Sequence, residues 1–355
     1  MKLDLHDDVV SLTRALCDIP SVSGTEAAIA DAVEAALHAL GHLEVLRDGD
    51  AVVARTQLGR ARRIVLAGHL DTVPIKDNLP TRLTGEGDAE LLHGRGTVDM
   101  KGGVGVLLKI AATVPEPRHD LTFVFYDNEE VASVRNGLGR LVRHHPDWLA
   151  GDFAILGEPS NGTVEGGCQG TMRVRITLKG KAAHPARAWH GINAIHAAAD
   201  VLAILKAYEP RRVVVDGLEY REGLNAVQIH GGIANNVIPD EVAIDVNHRF
   251  APDRDVDGAY AHLREVFAGY ELEIRDQAAA ARPGLDRPAA AEFVAAVGRA
   301  PAPKFGWTDV ARFAELGIPA VNYGPGDPLL CHTDEENLPT ADLRECERVL
   351  AAWLS

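Results

Sequence analysis

Short apolar runs alternate along this chain with stretches in which apolar residues recur every three or four positions. Residues 9–17 have helical spacing and stop before Ile19-Pro20. After the turn Ser21-Val22-Ser23-Gly24, Thr25 and Glu26 open a second helix, rich in Ala and Leu, that runs through Leu40. Short strands follow near 43–46 and 51–55. Arg63-Ile64-Val65-Leu66-Ala67 then reads as a buried strand of a parallel sheet. Residues 73–93 are irregular, with Pro74, Pro80, Gly85 and Gly87, and form a loop long enough to be functional. Residues 104–112 are apolar all round, as in a buried helix. Leu121 to Tyr126 reads as a strand from its β-branched and aromatic content. A helix at 137–144 and a strand at 153–156 complete this part.

The pattern changes after Cys168. Residues 171–178 alternate apolar and polar side chains, as in a strand with one solvated face. Two more such strands are predicted at 225–233 and 241–250, with helices at 192–207 and 259–267 and a strand at 271–275. The helix-strand-helix pattern of the first part resumes near Asp286. The chain therefore predicts an α/β domain with a mixed, mostly parallel sheet, built from residues 1–170 and 281–355. An α+β domain, residues 171–280, is inserted into it. A length of 355 residues also exceeds one typical core.

Thirty-six basic and 51 acidic residues give a formal charge of −15, which argues against nucleic acid or an anionic membrane as partner. Any anion must then be bound by a locally built site. No apolar run reaches the ~18 residues needed to span a bilayer. The acidic start, Met1 to Asp8, does not read as a signal peptide. Cys17, Cys168, Cys331 and Cys346 lie far apart and read as reduced thiols of a cytoplasmic protein.

The candidate chemistry starts at Gly68-His69-Leu70-Asp71-Thr72, directly after a strand. Gly68 is expected to let the chain turn there. His69 offers a metal one ring nitrogen, and Asp71 can take a hydrogen bond from the other. A plain loop with one His and a capping Asp has the same spelling. Asp99, Glu130, Glu158 and His332 occupy comparable places, however. His69, Glu130 and Glu158 each follow an apolar strand, and the carboxyl ends of neighbouring parallel strands lie together. Two imidazoles and three carboxylates suit a pair of Zn²⁺ ions, or Co²⁺ or Mn²⁺ as substitutes, with one carboxylate shared. The residues alone leave open which of Glu129 and Glu130 is ligand and which is base.

These motifs together resemble the co-catalytic metallopeptidase family that includes aminoacylases, acetylornithine deacetylases, succinyl-diaminopimelate desuccinylases and glutamate carboxypeptidases. They are Gly68 to Thr72, Gly94 to Gly102, Asn128-Glu129-Glu130, Gly157-Glu158-Pro159 and Cys331-His332, and the resemblance covers nearly the whole chain. It implies a zinc-peptidase-like catalytic domain with an inserted dimerisation lid. It implies that Asp99 bridges two metals, with His69 and Glu158 completing one site and Glu130 and His332 the other. Glu129 would be the general base, and a cis peptide would follow Asp99. His184, in Ala183-His184-Pro185, would reach the partner subunit's site and stabilise the oxyanion; by itself it reads as a surface His. Asn236 and Arg249 would hold a substrate carboxylate, with Thr308 and Arg187 as further contacts.

Asn128 replaces the commoner Asp, Val131 stands where many members have Gly, and Trp307 is an uncommon choice. Residues 306–313 resemble the desuccinylases more than the acetylornithine enzymes. The expected activity is therefore hydrolysis of a small anionic N-acyl amino acid by a homodimer, with N-succinyl-L,L-2,6-diaminopimelate as the leading substrate. Acetylornithine deacetylation, or peptidase activity of the same kind, is the alternative. A metal-containing binding protein fits less well, because a pure binder has no use for Glu129.

Overall fold

The computed structural model describes residues 3–355; the first two residues of the acidic amino terminus lie outside them. The chain divides into two compact units, Met1–Gly166 with Pro283–Ala302 and Asp309–Ser355, and Gly167–Arg282 with Pro303–Thr308. The sequence reading assigns all of 281–355 to the first unit. Pro303–Thr308 groups with the second. Gln169 N–H donates to Lys304 O at 3.3 Å, and the Trp307 indole N–H donates to Ala279 O at 3.1 Å.

The first unit is a mixed α/β structure around a large sheet. Its centre is four parallel strands in the order Asp120–Tyr126, Arg63–His69, Phe153–Leu156 and Ala320–Asn322. Glu44–Asp48 and Ala51–Arg55 add antiparallel strands beyond Asp120–Tyr126. Every residue of Asp120–Tyr126 and Phe153–Leu156 is buried, as expected of parallel strands covered on both faces. Helices Val9–Cys17, Ala27–Leu40, Lys101–Thr113 and Thr340–Leu354 share one apolar core with the sheet, including Leu12, Leu37, Leu108, Phe123 and Leu350. Residues 101–111 are buried on every side of their helix.

Gly68 differs from its expected role. The strand runs straight through it to His69, and it has no positive φ. A Cβ there would lie 3.0 Å from both the Met100 and Val104 side chains, so the position is glycine for close packing. The irregular stretch 73–93 also holds two short strands, Arg82–Thr84 and Leu91–His93, which form a small sheet with Asn337–Pro339.

The second unit is a four-stranded antiparallel sheet in the order Gly223–Gly231, Glu241–Phe250, Gly170–Lys179 and Glu273–Ala278. Strict alternation along Gly170–Lys179 turns Met172, Val174, Ile176 and Leu178 into a core shared with helices Ala194–Ala207 and Val256–Val266. The first of these helices is capped by the Asn193 side chain, which accepts from Ile195 N–H at 2.9 Å. A hairpin of Arg212–Val215 and Leu218–Arg221, which the hydrophobic pattern did not predict, completes the unit. Among the described residues no helix is long and apolar enough to cross a membrane, and the four cysteines form no disulfide.

Candidate active site

Three adjacent parallel strands deliver the chemistry at their carboxyl ends. His69 is the last residue of one strand, Asn128-Glu129-Glu130 follows the next, and Glu158 lies two residues beyond the third. Asp99 precedes helix Lys101–Thr113 through a cis peptide to Met100. A missing side chain lets that helix approach Glu158: a Cβ on Gly103 would lie 1.9 Å from Gly157 O. His332 arrives from the segment after Ala320–Asn322, with its own backbone left-handed at φ 63.

Ligand atoms of these side chains lie within 4.8 Å of one another in three groups: His69, Asp99 and Glu158; Asp99, Glu130 and His332; and His69, Glu129 and Glu130. Asp99 belongs to the first two, and its two oxygens face different imidazoles. Oδ1 is 3.1 Å from His69 Nε2 and Oδ2 is 3.2 Å from His332 Nε2. Glu130 Oε1 lies 2.9 Å from the same His332 nitrogen. Four carboxylates crowded around two imidazoles concentrate negative charge that calls for cations, and imidazole with carboxylate is a fitting donor set for divalent metals.

The electrostatics match that crowding. Burial alone would lower the basicity of His69, but the Asp71 and Asp99 carboxylates raise it well above the usual imidazole value. Hydrogen bonding to Asp99 and Glu130 pushes His332 up to about 10. Burial opposes the charge of Asp99, yet hydrogen bonds from His332 and His69 hold its carboxyl well below the ordinary range. Desolvation pushes the Glu129 carboxyl well above its usual value.

Asp71 is used differently from expectation. His69 Nδ1 lies 3.0 Å from the backbone carbonyl of Asp71, and the carboxylate is farther, at 3.4 Å. The carboxylate instead accepts the N–H groups of Glu129 and Glu130 and the Ser23 hydroxyl at 2.7 Å. Asp71 therefore sets the His69 ring through its backbone carbonyl and the Glu129–Glu130 loop through its carboxylate.

Two residues that the motifs did not single out hold this site. Glu336, 2% exposed, accepts Val98 N–H at 3.0 Å and Asp99 N–H at 3.2 Å, and pairs with Arg95 at 2.9 Å. In sequence it is one acidic residue in Asp334-Glu335-Glu336, spelled like its solvated neighbours. Asp309, fully buried, accepts from the Asn136 amide nitrogen with both oxygens, at 3.2 and 3.0 Å.

His184, Arg187, Asn236, Arg249 and Thr308 lie in the second unit. His184 is exposed, and its Nδ1 accepts Ala186 N–H at 3.1 Å, so a neutral ring carries its proton on Nε2. Arg187 and Asn236 are exposed, and Thr308 is buried. Arg249 is half-buried, and among the described residues its guanidinium has no hydrogen-bond partner.

The sequence profile of peptidase family M20/M25/M40 matches residues 65–355. A Mycobacterium tuberculosis protein provisionally named succinyl-diaminopimelate desuccinylase is 53% identical over 355 residues, covering 99% of both chains. A Corynebacterium glutamicum protein named succinyl-diaminopimelate desuccinylase is 46% identical, covering 99% of this chain and 98% of its own. Among solved structures, a Staphylococcus aureus tripeptidase superposes with a TM-score of 0.79 at 21% identity, covering 100% of this chain and 98% of that one. A dinuclear metal-binding peptidase of the M20 family from Bacillus subtilis superposes with a TM-score of 0.69 at 18% identity, covering 98% of this chain and 97% of its own; both share the fold. By profile match and by end-to-end identity, the chain belongs to peptidase family M20/M25/M40.

Proposed function

We propose that this chain hydrolyses the amide of N-succinyl-L,L-2,6-diaminopimelate to succinate and L,L-2,6-diaminopimelate. The observation that carries the reading is the sharing of Asp99 by two ligand groups with Glu129 beside them, in a chain matched end to end by relatives named for that reaction. His69 and Glu158 would hold one divalent ion, and Glu130 and His332 a second, with Asp99 between them. The donor set suits Zn²⁺, with Co²⁺ or Mn²⁺ as substitutes. Such ions, when bound, polarise an amide carbonyl and acidify water.

The side chains supply the rest. Glu129 takes the proton of the attacking water and returns it to the departing nitrogen. One water is thus added across the C–N bond, and the products leave as carboxylate and amine. Its desolvated carboxyl is more basic than an exposed one, which suits a base working near neutral pH. Asp71 holds the His69 ring and the Glu129 loop together.

The second unit supplies the dimer contact in this reading. Gly223–Gly231 is an edge strand with exposed Val227 and Ile229, and helix Ala194–Ala207 exposes Ile195 and Leu202. An unpaired edge beside apolar side chains is a surface that a second copy can cover. His184 then donates Nε2–H to the oxyanion in the partner's site. Arg249, Asn236, Thr308 and Arg187 bind substrate carboxylates, which a chain of charge −15 does not attract from afar. Four cysteines outside any disulfide suit the cytoplasm.

The deciding experiment compares kcat/KM for N-succinyl-L,L-2,6-diaminopimelate and N-acetylornithine on metal-loaded protein. The succinyl compound is expected to be turned over faster, because the acetyl compound leaves a cationic group without its carboxylate. The opposite order overturns the substrate and leaves amide hydrolysis in place.

A further inference from the structure

The turn that carries Glu129 and Glu130 is held by two carboxylates from elsewhere in the chain. Asp71 takes the N–H groups of Glu129 and Glu130, at 3.0 and 3.1 Å. The amide before them, that of Asn128, donates to Glu26 Oε1 at 3.1 Å, and the same oxygen accepts Gly24 N–H at 2.9 Å. Three consecutive amides thus end on two side chains.

Glu26 is 1% exposed and stands at the start of helix Ala27–Leu40, yet its side chain caps no amide of that helix. Its carboxyl instead reaches a turn 102 residues away. Asn128 has φ 58, a left-handed conformation that Asn adopts more readily than most residues with a side chain. The turn decides where the next two side chains point.

The segment containing Glu26 is fastened to the His69 loop as well. Ser21 Oγ donates to Leu70 O at 2.7 Å, and Thr72 N–H donates to Ser21 O at 2.9 Å. Ser23 N–H donates to Thr72 O at 3.1 Å, and Ser23 Oγ donates to Asp71 Oδ2 at 2.7 Å. Residues 21–26 therefore bracket both loops.

We infer that Glu26 is a positioning residue, whose carboxyl fixes the Asn128 turn and so aims Glu129 and Glu130. The inference rests on the reading of Glu129 as base and Glu130 as ligand. Glu26→Ala should lower kcat roughly 10- to 100-fold, the scale of one hydrogen bond to a charged acceptor, with KM little changed. Amide hydrogen exchange over residues 127–131 should accelerate while the rest of the first unit keeps its protection. Glu26→Gln retains an acceptor oxygen and should restore most of both. In a Glu129→Gln background, Glu26→Ala should cost less than it does alone, the remainder acting through Glu130.

An equal loss in both backgrounds overturns the inference. So does exchange that rises throughout the first unit, or that is unchanged over 127–131. If the wild-type protein leaves the succinyl substrate intact, the functional reading fails, and the exchange result still decides whether Glu26 holds the turn.

Discussion

Asp71 accepts the backbone N–H of Glu129 at 3.0 Å, across 58 positions of sequence. Its other oxygen takes Glu130 N–H and the Ser23 hydroxyl. All three partners are donors, so an amide cannot stand in for the carboxylate. In Asp71→Asn one face of the side chain becomes an NH₂ aimed at an N–H. The substitution is nearly isosteric, and it should still cost about 10–100-fold in metal affinity or activity, the usual effect of losing a partner that orients ligands. Metal titration and kcat of the purified variant check this. Wild-type values for both would show that the loop is held without Asp71.

Asp99 presents one oxygen to each imidazole, at 3.1 and 3.2 Å. A ligand shared between two ions should lower both occupancies when removed, whereas a ligand to one should spare the other. Metal analysis of Asp99→Ala is therefore expected to find fewer than two ions per chain, both held weakly. Two ions retained at wild-type affinity would remove Asp99 from the bridge.

Much of this was legible in the sequence because parallel strands announce themselves. Buried strands such as Phe153–Leu156 and Asp120–Tyr126 are continuous apolar runs, and a ligand directly after such a run sits at the sheet's carboxyl edge. His69, Glu130 and Glu158 are legible in that way as neighbours at one edge of the sheet. The role of Gly68 was misread because a glycine kept for close packing is spelled like one kept for a turn. Glu26 and Glu336 were missed for a related reason. A buried carboxylate that accepts backbone amides has no periodicity of its own, and its partners lie 102 and 238 positions away. The grouping of Pro303–Thr308 with the second unit is not spelled in the sequence, because partners such as Ala279 O for Trp307 lie far along the chain.

His248 gives the second unit a pH-dependent stability. It is fully buried, and neither ring nitrogen has a hydrogen-bond partner among the described residues. Burial lowers its pKa from the ordinary 6.5 to about 4; Glu222 opposes that shift, and His262, Arg254 and Arg211 add to it. The unfolded chain therefore binds a proton that the folded chain resists. The stabilisation is complete above the unfolded value of 6.5 and is lost as pH falls towards 4. The full effect is on the order of 3 kcal/mol, with about 2 kcal/mol gone by pH 5. Thermal melting at pH 7.5 and pH 5 should show a smaller acid shift for His248→Leu than for wild type. Equal shifts would clear His248 of the effect.

Arg249 is half-buried without a hydrogen-bond partner among the described residues, and burial lowers the pKa of its guanidinium. Such a group is poised for an anion that the chain itself does not supply. A guanidinium grips a carboxylate with two parallel hydrogen bonds, whereas an ammonium is a single point of charge. Arg249→Lys should therefore lower kcat/KM roughly tenfold to a few hundredfold, the range of a charged hydrogen bond. A loss below twofold would take Arg249 out of substrate binding.

His184 lies in the second unit, and its exposed ring offers Nε2–H as a donor. If it serves its own chain's site, then mixing two inactive variants cannot help, because every chain lacks one needed group. If it serves the partner's site, a mixed dimer of Glu129→Gln and His184→Ala chains has one complete site. The Glu129 of the His184→Ala chain then meets the His184 of the other. With random exchange about half of the dimers are mixed, so activity should recover to roughly a quarter of wild type, since each mixed dimer has one working site of two. Subunit exchange is followed independently, by mass, so that a negative result carries weight. Exchange without recovered hydrolysis would place His184 in its own chain's site or outside the chemistry altogether.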